Sequence, residues 1–409
     1  MKRLLGVALG VLTAIGGFVD IGDLVTNAIV GSRFGLSLVW VVIVGVIGIC
    51  LFANMSGRVA AASGRATFEV IRERLGPRAG LANLGASFFI NLMTVTAEIG
   101  GIALALQLAS SVSYLLWIPV AVVAVWLVIW RVRFSIMENV TGLLGLSLIV
   151  FAVALFLLKP DWGGLAGQAL APAVPETETV PGYWYYAVAL FGAAMTPYEV
   201  FFFSSGAVEE GWTVKDLSQS RNNVLVGFPL GGLLSVAIAG CAAVVLLPAG
   251  IEVTSLSQVI LPVAEAGGKL ALAFVLVGIV AATFGAALET TLSSGYTLAQ
   301  FFGWSWGKFR RPAQAARFHL AMIICLLVGV AVLSTGVDPV LVTEYSVVFS
   351  AVALPLTYLP ILVVANDPQY MREHVNGRPV NVLAMIYLLI ILVASLAAIP
   401  LMIVTGAGA

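Results

Sequence analysis

Asp20-Ile21-Gly22-Asp23 interrupts the first apolar stretch of the chain, and Met195-Thr196-Pro197-Tyr198-Glu199 interrupts another apolar stretch in its second half. Glycine and proline break helices and leave backbone carbonyls without partners, which a membrane tolerates only where those carbonyls line a cavity inside the protein. Two broken apolar helices at corresponding positions of two halves are the best sequence indication of a transporter's substrate site. Because both breaks carry carboxylates, the pattern predicts a cationic substrate.

The composition is typical of polytopic membrane proteins. Of the 409 residues, 61% are hydrophobic and only 10% are charged, whereas soluble domains carry about 25% charged residues. The net charge is zero, so nothing indicates a nucleic-acid partner. The sequence has no paired histidine ligands, no glycine-rich phosphate loop and no Ser/His/Asp arrangement, so we do not expect an enzyme. We expect divalent cations and the lipid bilayer as partners, no resident cofactor, and a chain that can act as a monomer.

Eleven segments are apolar and long enough, at about 20 residues, to cross the hydrocarbon core. They are 5–30, 37–62, 82–109, 113–130, 136–158, 183–209, 223–247, 269–301, 317–334, 339–364 and 380–404. We expect the first to be a retained helix and not a signal peptide, because acids end it and no small-x-small cleavage pattern follows. With the N-terminus in the cytoplasm, every lysine and arginine except Arg33, Lys159 and Lys269 falls in a cytoplasmic piece. The odd number of spans then predicts an extracellular C-terminus in a plasma-membrane protein.

The chain divides at a proline-rich extracellular loop, residues 159–182. This loop separates spans 1–5, in residues 1–158, from spans 6–10, in residues 183–364, and residues 365–409 add a loop and the eleventh span. Because five is odd, the second set enters the membrane from the opposite side, and each set begins with a broken helix. The pattern predicts an all-α fold with an inverted-topology repeat.

The two breaks together supply an oxygen-rich site from Asp20, Asp23, Thr196 and Glu199. An acid at mid-membrane costs about 2.5–3.5 kcal/mol, and the spans contain almost no basic partners. The first halves of both broken helices end at the breaks and present carbonyls, the negative end of the helix dipole. Oxygen ligands suit Mg²⁺, Ca²⁺ or Mn²⁺. The alternative interpretation is that the acids are protonated and hydrogen-bond the unwound backbone.

Two further acids have two interpretations each. Glu98, in the third span, can face the same cavity or hydrogen-bond a neighbouring helix. Glu289 lies in an unusually polar part of the eighth span, which can line an aqueous path or bind helices together.

The motifs at the breaks resemble those of the NRAMP divalent-metal transporters. Asp20-Ile21-Gly22-Asp23, followed by Gly35-Leu36-Ser37-Leu38-Val39-Trp40, is similar to the family's first helix, where the break reads Asp-Pro-Gly-Asn. Thr196-Pro197-Tyr198-Glu199 falls where the family has Met-Pro-His-Asn, and Ala97-Glu98-Ile99-Gly100 resembles its third helix. The segment from Leu354 to Asn381 resembles the end of the tenth helix and the loop after it. The resemblance covers about residues 10–385 and implies the LeuT-type fold of two inverted five-helix units.

The resemblance also implies a ligand set. In the family, the metal is held by the Asp and Asn of helix 1, the Met of helix 6 and nearby carbonyls. By position these become Asp20, Asp23, Thr196 and the carbonyls near Gly17 and Ala193. The soft thioether is replaced by a hydroxyl and a neutral amide by a carboxylate, which moves the preference from Fe²⁺ and Cd²⁺ toward hard ions. The smaller threonine leaves room for a partly hydrated Mg²⁺.

The groups that handle protons in the family are altered as well. Its two helix-6 histidines correspond to Tyr198 and Phe203, and an aspartate three residues before Glu98 corresponds to Val95. Tyr198 is therefore expected in the cavity or path without a histidine's proton chemistry. These changes are those expected of the NRAMP-related magnesium transporters, a prokaryotic branch that resembles uncoupled Mg²⁺ carriers.

Three functions remain open at this point. The first is a secondary transporter that passes Mg²⁺ and Mn²⁺ by alternating access without proton coupling. The second is a proton-coupled Mn²⁺ importer of the same family, in which Glu98 and Glu199 supply the protonatable groups. The third is an amino-acid or organic-cation carrier of the same architecture, which the acids at the breaks disfavour because they would repel a carboxylate.

Overall fold

The computed structural model describes residues 19–132 and 134–408, and all the regular secondary structure within them is helical. The α-helices are, in chain order, α1 (Ile21–Phe34), α2 (Val39–Ser63), α3 (Thr67–Ser110), α4 (Tyr114–Arg131), α5 (Phe134–Gly145), α6 (Val150–Leu157), α7 (Trp162–Leu170), α8 (Val180–Ala194), α9 (Pro197–Glu209), α10 (Leu217–Ala249), α11 (Leu256–Phe302), α12 (Ala316–Leu333), α13 (Pro339–Ala365), α14 (Pro368–Met371) and α15 (Arg378–Val404). Short 3₁₀ turns at Leu146–Ile149, Val214–Asp216 and Arg372–His374 connect some of them.

Ten stretches of the described chain are long and apolar enough to cross a membrane, and they coincide with the second to eleventh predicted spans. The first predicted span begins at residue 5, outside the described residues, and its described part is α1. Two helices, α3 with 44 residues and α11 with 47, are about twice as long as the roughly 20 residues that a span needs, and each has a kink at a glycine with positive φ. These bends, at Gly76 in α3 and Gly268 in α11, precede the predicted spans 82–109 and 269–301.

The broken helix α8–α9 lies at the centre of the bundle. In the most apolar 18-residue stretch of α8–α9, 94% of the residues are buried. The corresponding stretches of the peripheral helices α4 and α15 are each only 28% buried. Helix α1 packs against α10 and α8, and α3 packs against α11 and α13. The helices that carry the breaks are therefore surrounded by protein, as unwound backbone in a membrane requires.

Two glycines let backbones approach closely around the breaks. A Cβ added to Gly31 of α1 would lie 2.2 Å from the carbonyl oxygen of Ala239 on α10. A Cβ added to Gly192 of α8 would lie 2.2 Å from the carbonyl oxygen of Val347 on α13. Only glycine fits at such contacts, so these two positions set the distances between the elements around the site.

The predicted loop 159–182 contains one short helix, α7, whose N-terminus is capped by Asp161. The loop is fastened to the end of α1, because Arg33 donates to the two carboxylate oxygens of Glu178 at 2.7 and 2.9 Å. Arg33 also donates to the carbonyl of Gly408 at 2.7 Å. These contacts join α1, the loop and the end of α15 on the predicted extracellular side.

Candidate cation site at the two helix breaks

The first break is organised by two carboxylates at the N-terminus of α1. Asp20 has an extended backbone and caps the helix, and its Oδ1 accepts a hydrogen bond from the Asp23 amide at 2.8 Å. Glu98 of α3 accepts a hydrogen bond from the amide of Ile21 at 3.2 Å. Both carboxylates are buried, with exposed fractions of 3% and 0%. They occupy the positive end of the α1 dipole, so Glu98 both faces the break and bonds a neighbouring helix.

The second break separates α8 from α9 at Met195 and Thr196. Pro197 is the first residue of α9 and has no N–H, so the carbonyl of Ala193 lacks the donor that a continuous helix would supply. The next carbonyl past the end of α8, that of Met195, accepts from the Tyr358 hydroxyl at 3.2 Å. The Ala193 carbonyl therefore lacks its helical donor at a buried position, and its role as a metal ligand stays a prediction.

The two breaks repeat one local arrangement. Each second half-helix has an oxygen-bearing residue at its N-cap and an acid three residues later, which are Asp20 and Asp23 in α1 and Thr196 and Glu199 in α9. Acidic groups in a first turn interact favourably with the helix dipole. Two positive helix ends that would otherwise attract anions thus carry carboxylates, and this arrangement disfavours an anionic group at the breaks.

A small cavity lies where the breaks meet α3 and α13. The centre of a water molecule can occupy about 10 Å³ of it, which is room for about one water or ion. Its polar lining consists of carboxylates and hydroxyls, contributed by Asp20, Thr94, Glu98, Thr196, Thr343, Ser346 and Ser350. Every polar side chain on this lining bears oxygen, and none bears a histidine nitrogen.

Asp23 lies beside this cavity and is not part of its lining. Its Oδ2 accepts from the hydroxyl of Ser235 on α10 at 2.5 Å, and its Oδ1 accepts from the Asn27 amide at 2.8 Å. Side chains three residues apart on a helix point in directions that differ by about 300° around the helix axis. Asp23 therefore faces α10, whereas Asp20 faces the cavity. The structure thus separates two acids that the sequence places in one motif.

Glu199 and Glu289 also lie outside the cavity lining. Both are buried, with exposed fractions of 6% and 8%. The hydroxyl of Tyr198, the residue before Glu199, donates to Oδ2 of Asp20 at 3.3 Å. Among the described residues, no three His, Cys, Asp or Glu side chains converge on one point. An ion at the breaks therefore needs hydroxyl, carbonyl or water oxygens to complete its shell.

Two more of the groups named from the sequence lie away from the cavity or outside the described chain. Gly17 belongs to the residues that the structure does not describe. Phe203, at one of the family's histidine positions, packs edge-on against Trp212. The sequence did not indicate Thr94, Ser235 or Ser346, because hydroxyls are common in apolar helices and only packing brings these to the site.

Other solved structures share this architecture. A manganese transporter of Eremococcus coleocola superposes with a TM-score of 0.70 at 20% identity, covering 97% of this chain and 85% of the other. Mhp1, a nucleobase-cation-symport-1 family transporter, superposes with a TM-score of 0.64 at 15% identity, covering 96% and 91%. These similarities confirm the predicted LeuT-type fold.

Sequence relatives match over almost the full length. A protein of Pectobacterium carotovorum named divalent metal cation transporter MntH is 25% identical over 390 residues, covering 93% of this chain and 90% of its own. A protein of the same name from Deinococcus radiodurans is 26% identical over 392 residues, covering 92% and 85%. The family described as natural resistance-associated macrophage protein-like matches residues 10–400. The chain therefore belongs to the Nramp family, whose members are multi-pass membrane transporters and not enzymes.

Proposed function

We propose that this protein transports divalent metal ions by alternating access, with Mg²⁺ as its main substrate, Mn²⁺ as a second one, and no proton coupling. The observation that carries the proposal is the placement of Thr196 and Met195. Thr196 lines the cavity. The neighbouring sulfur of Met195 packs against α2, where a Cβ on Gly48 would lie 2.6 Å from it. A hydroxyl thus stands where the family has its thioether, and the adjacent methionine does not replace it.

The oxygen ligands that line the cavity favour binding of a hard metal ion. Carboxylate and hydroxyl oxygens suit Mg²⁺ and Mn²⁺, whereas thioethers favour softer metals. In this conformation the cavity holds about one water-sized species. An ion there would exchange most of its hydration shell for protein oxygens, and hydroxyls would hold the water that remains. Mg²⁺ gives up water reluctantly, so we expect it to bind with water retained in a more open conformation.

The loss of proton-handling groups supports uncoupled transport. Tyr198 and Phe203 stand at the family's histidine positions, and Val95 stands at an aspartate position. Tyr198 donates a hydrogen bond to Asp20, and Val95 is fully buried. Neither a phenol nor an alkyl side chain exchanges protons readily near neutral pH.

The proton-coupled alternative depends on Glu98. This acid lines the cavity and bonds the amide of Ile21, so its protonation would weaken the anchoring of α1 to α3. The amino-acid alternative has less support, because carboxylates already occupy both helix N-termini that would bind a substrate carboxylate.

Transport in proteoliposomes distinguishes these functions. We expect Mg²⁺ influx, followed by a lumenal Mg²⁺ dye, without acidification of a lumenal pH dye. Asp20→Ala should reduce influx to the level of empty liposomes, while Glu373→Ala, at a side chain that is 87% exposed, should transport normally. Acidification that scales with metal entry would establish the coupled alternative, and normal influx through Asp20→Ala would exclude the site.

We place the protein in the plasma membrane with its N-terminus in the cytoplasm and its C-terminus outside. The distribution of lysine and arginine supports this orientation. The site lies within one chain, between α1, α3, α9 and α13, so a monomer can carry it.

A further inference from the structure

The first turns of α3 form a short helical segment of their own on the predicted cytoplasmic side. A glycine with positive φ lies at each end of this segment, Gly64 with φ 69° and Gly76 with φ 83° and ψ 171°. The second of these conformations is open almost only to glycine. Among the described residues, none would lie within 4 Å of a Cβ added at either position. The backbone can therefore turn at both ends of segment 65–75 without a steric obstacle.

Apolar side chains pack this segment against the bundle. Phe68, Val70 and Ile71 are at most 1% exposed. The Phe68 ring lies edge-on against the Phe201 ring of α9, with the two centroids 5.1 Å apart. Phe201 follows Thr196 by five residues, which is about 8 Å along α9 from the helix break. The segment thus contacts α9 on the cytoplasmic side of the candidate cation site.

The N-terminus of the segment receives a hydrogen-bond acceptor from α9. Its N-cap residue, Ala66, has no side chain that can accept a hydrogen bond, so the amides of the first turn need another acceptor. The hydroxyl of Ser204 on α9 accepts from the Thr67 amide at 2.8 Å, and the two side-chain oxygens are also 2.8 Å apart. Both side chains are at most 1% exposed. A displacement of α9 would therefore remove the cap of this segment.

Polar contacts join the rest of the segment to two other elements. Arg72 donates to the carbonyl of Phe301 on α11, and Glu69 accepts from the Trp306 indole at 3.0 Å. Arg74 pairs with Asp367 in the loop after α13. The segment therefore bridges α9, α11 and this loop in the described conformation.

A cavity of about 510 Å³ lies between the segment and the cytoplasmic end of α9. Gly64 and Glu69 line it on one side, and Glu209 of α9 lines it on the other. It is far larger than the cavity at the helix breaks, where the centre of a water molecule can occupy about 10 Å³. An ion that moves along α9 from the breaks would pass the contact of Ser204 with Thr67 before it reaches this space.

The second set of helices repeats the arrangement. Gly250 ends α10 with φ 65°, residues 256–267 form a short helix, and Gly268 with φ 62° joins that helix to the span of α11. Because α3 and α11 are the third spans of the two sets, the predicted inverted topology puts the two short helices on opposite sides of the membrane. Alternating access needs a closure on each side of the site, so this repetition supports a role in closure.

We propose that segment 65–75 is a cytoplasmic lid that turns about Gly64 and Gly76. In the described conformation, Ser204 holds the lid against α9, and the lid closes the route from the cation site to the cytoplasm. When α9 moves to open that route, Thr67 loses its acceptor and the lid separates from α9. The inference rests on the proposed function, because it assumes transport by alternating access.

A disulfide between the lid and α9 tests whether the lid must move. The side-chain oxygens of Thr67 and Ser204 are 2.8 Å apart, so sulfurs there can approach the disulfide length of about 2.05 Å. Oxidised Thr67→Cys/Ser204→Cys should take up Mg²⁺ in proteoliposomes at least about 10-fold more slowly than its reduced form, and dithiothreitol should restore influx. Each single variant should transport equally before and after oxidation. Undiminished influx through a protein that thiol counting shows to be crosslinked would overturn the lid.

Maleimide labelling of Val70→Cys in the purified full chain reports whether the lid is closed. Val70 is fully buried, so the reagent reaches a cysteine there only when the lid has separated. Ser204→Ala should raise the labelling rate about 5-fold, because it removes the cap at Thr67. Ser205→Ala is the matched control and should leave the rate unchanged, since this neighbouring hydroxyl accepts from Gln300 of α11 and does not contact the lid.

Alanine at Gly76 tests the hinge. Gly76→Ala should raise the labelling rate of Val70→Cys at least about 5-fold, because alanine disfavours this backbone conformation and so moves the lid away from α9. Gly336→Ala is the control, since Gly336 has a similar φ of 82° and no described neighbour within 4 Å but lies in the turn after α12. Unchanged labelling in both Ser204→Ala and Gly76→Ala would overturn the lid, and so would an equal rise in Gly336→Ala.

The outcomes separate the lid from the proposed function. Labelling needs no transported ion, so the expected labelling pattern together with no Mg²⁺ influx by the wild type would support the lid and contradict the proposed function. Undiminished influx through the crosslinked protein would overturn the lid and leave the proposed function standing. Recovery of influx after reduction shows that the crosslinked variant is folded.

Discussion

Asp20 and Asp23, three residues apart, have different structural roles in this protein. Asp20 caps α1 and lines the cavity, whereas Asp23 is turned toward α10 and held there by Ser235 and Asn27. The sequence predicted that both lie at the break. It could not separate their roles, because the direction of each side chain depends on where the helix begins.

Replacing Thr196 with methionine tests the hard-ligand account. Thr196→Met should place a thioether beside Asp20, so Cd²⁺ uptake should rise relative to Mg²⁺ by about 10-fold, or about 1.4 kcal/mol. Competition between the two ions in proteoliposomes measures the change.

Met195→Leu is the matched control, because the Met195 sulfur packs against α2 away from the cavity. The account would be contradicted if Met195→Leu altered the selectivity and Thr196→Met left it unchanged.

Ser235 is predicted to position Asp23. Its hydroxyl bonds Asp23 at 2.5 Å in a fully buried setting, and a hydrogen bond to a charged group contributes about 1.5–3 kcal/mol. Ser235→Ala should therefore lower the melting temperature in detergent. Ser395→Ala, which removes a half-buried hydroxyl that bonds only the Val352 carbonyl, should cost about 1 kcal/mol or less. Equal losses in the two variants would show that Ser235 has no special role.

At the scale of elements, the helix breaks and the spans were predictable from the sequence. Hydropathy located the second to eleventh spans, and the Gly and Pro residues located the break between α8 and α9 and the start of α1, because these depend on local composition. The first predicted span and the half-helix before Asp20 lie outside the described residues. The helical turns before the kinks of α3 and α11 were not predicted, although Gly76 and Gly268, whose backbone angles are not helical, lie just before the predicted spans 82–109 and 269–301.

The close contact between α8 and α13 predicts a stability effect at Gly192. A Cβ there would lie 2.2 Å from the Val347 carbonyl oxygen, so Gly192→Ala should force the helices apart and cost about 1–3 kcal/mol. Thermal unfolding in detergent measures this loss. Gly85→Ala is the control, because a Cβ at this helical glycine has no neighbour within 4 Å, and it should be neutral or stabilising. Gly192→Ala melting with the wild type would contradict the packing described here.

At the scale of the whole molecule, the cavity is a product of tertiary packing. Apart from that of Thr196, its hydroxyls come from α3 and α13, which are separated by about 250 residues in the sequence. Thr94 and Ser346, for example, lie 3.1 Å apart across the interface. Nothing local marks these residues as functional. The sequence therefore indicated the acids and Thr196, and only the packed bundle reveals the hydroxyls of α3 and α13.

The predicted orientation can be tested by cysteine labelling in intact cells. The native cysteines Cys50, Cys241 and Cys325 are buried, so background labelling should be low. A membrane-impermeant maleimide should label Glu176→Cys, in the exposed loop before α8, and should not label Lys215→Cys, which is exposed on the predicted cytoplasmic side. The reverse pattern would invert the predicted topology.

The central claim is that oxygens at the two helix breaks hold a hard divalent ion. A crystal structure with Mn²⁺, analysed by anomalous scattering, tests it most directly. The account predicts a peak in the cavity within about 2.5 Å of an Asp20 carboxylate oxygen and of the Thr196 hydroxyl. A peak elsewhere with this cavity empty, under conditions in which the protein transports Mn²⁺, would contradict it.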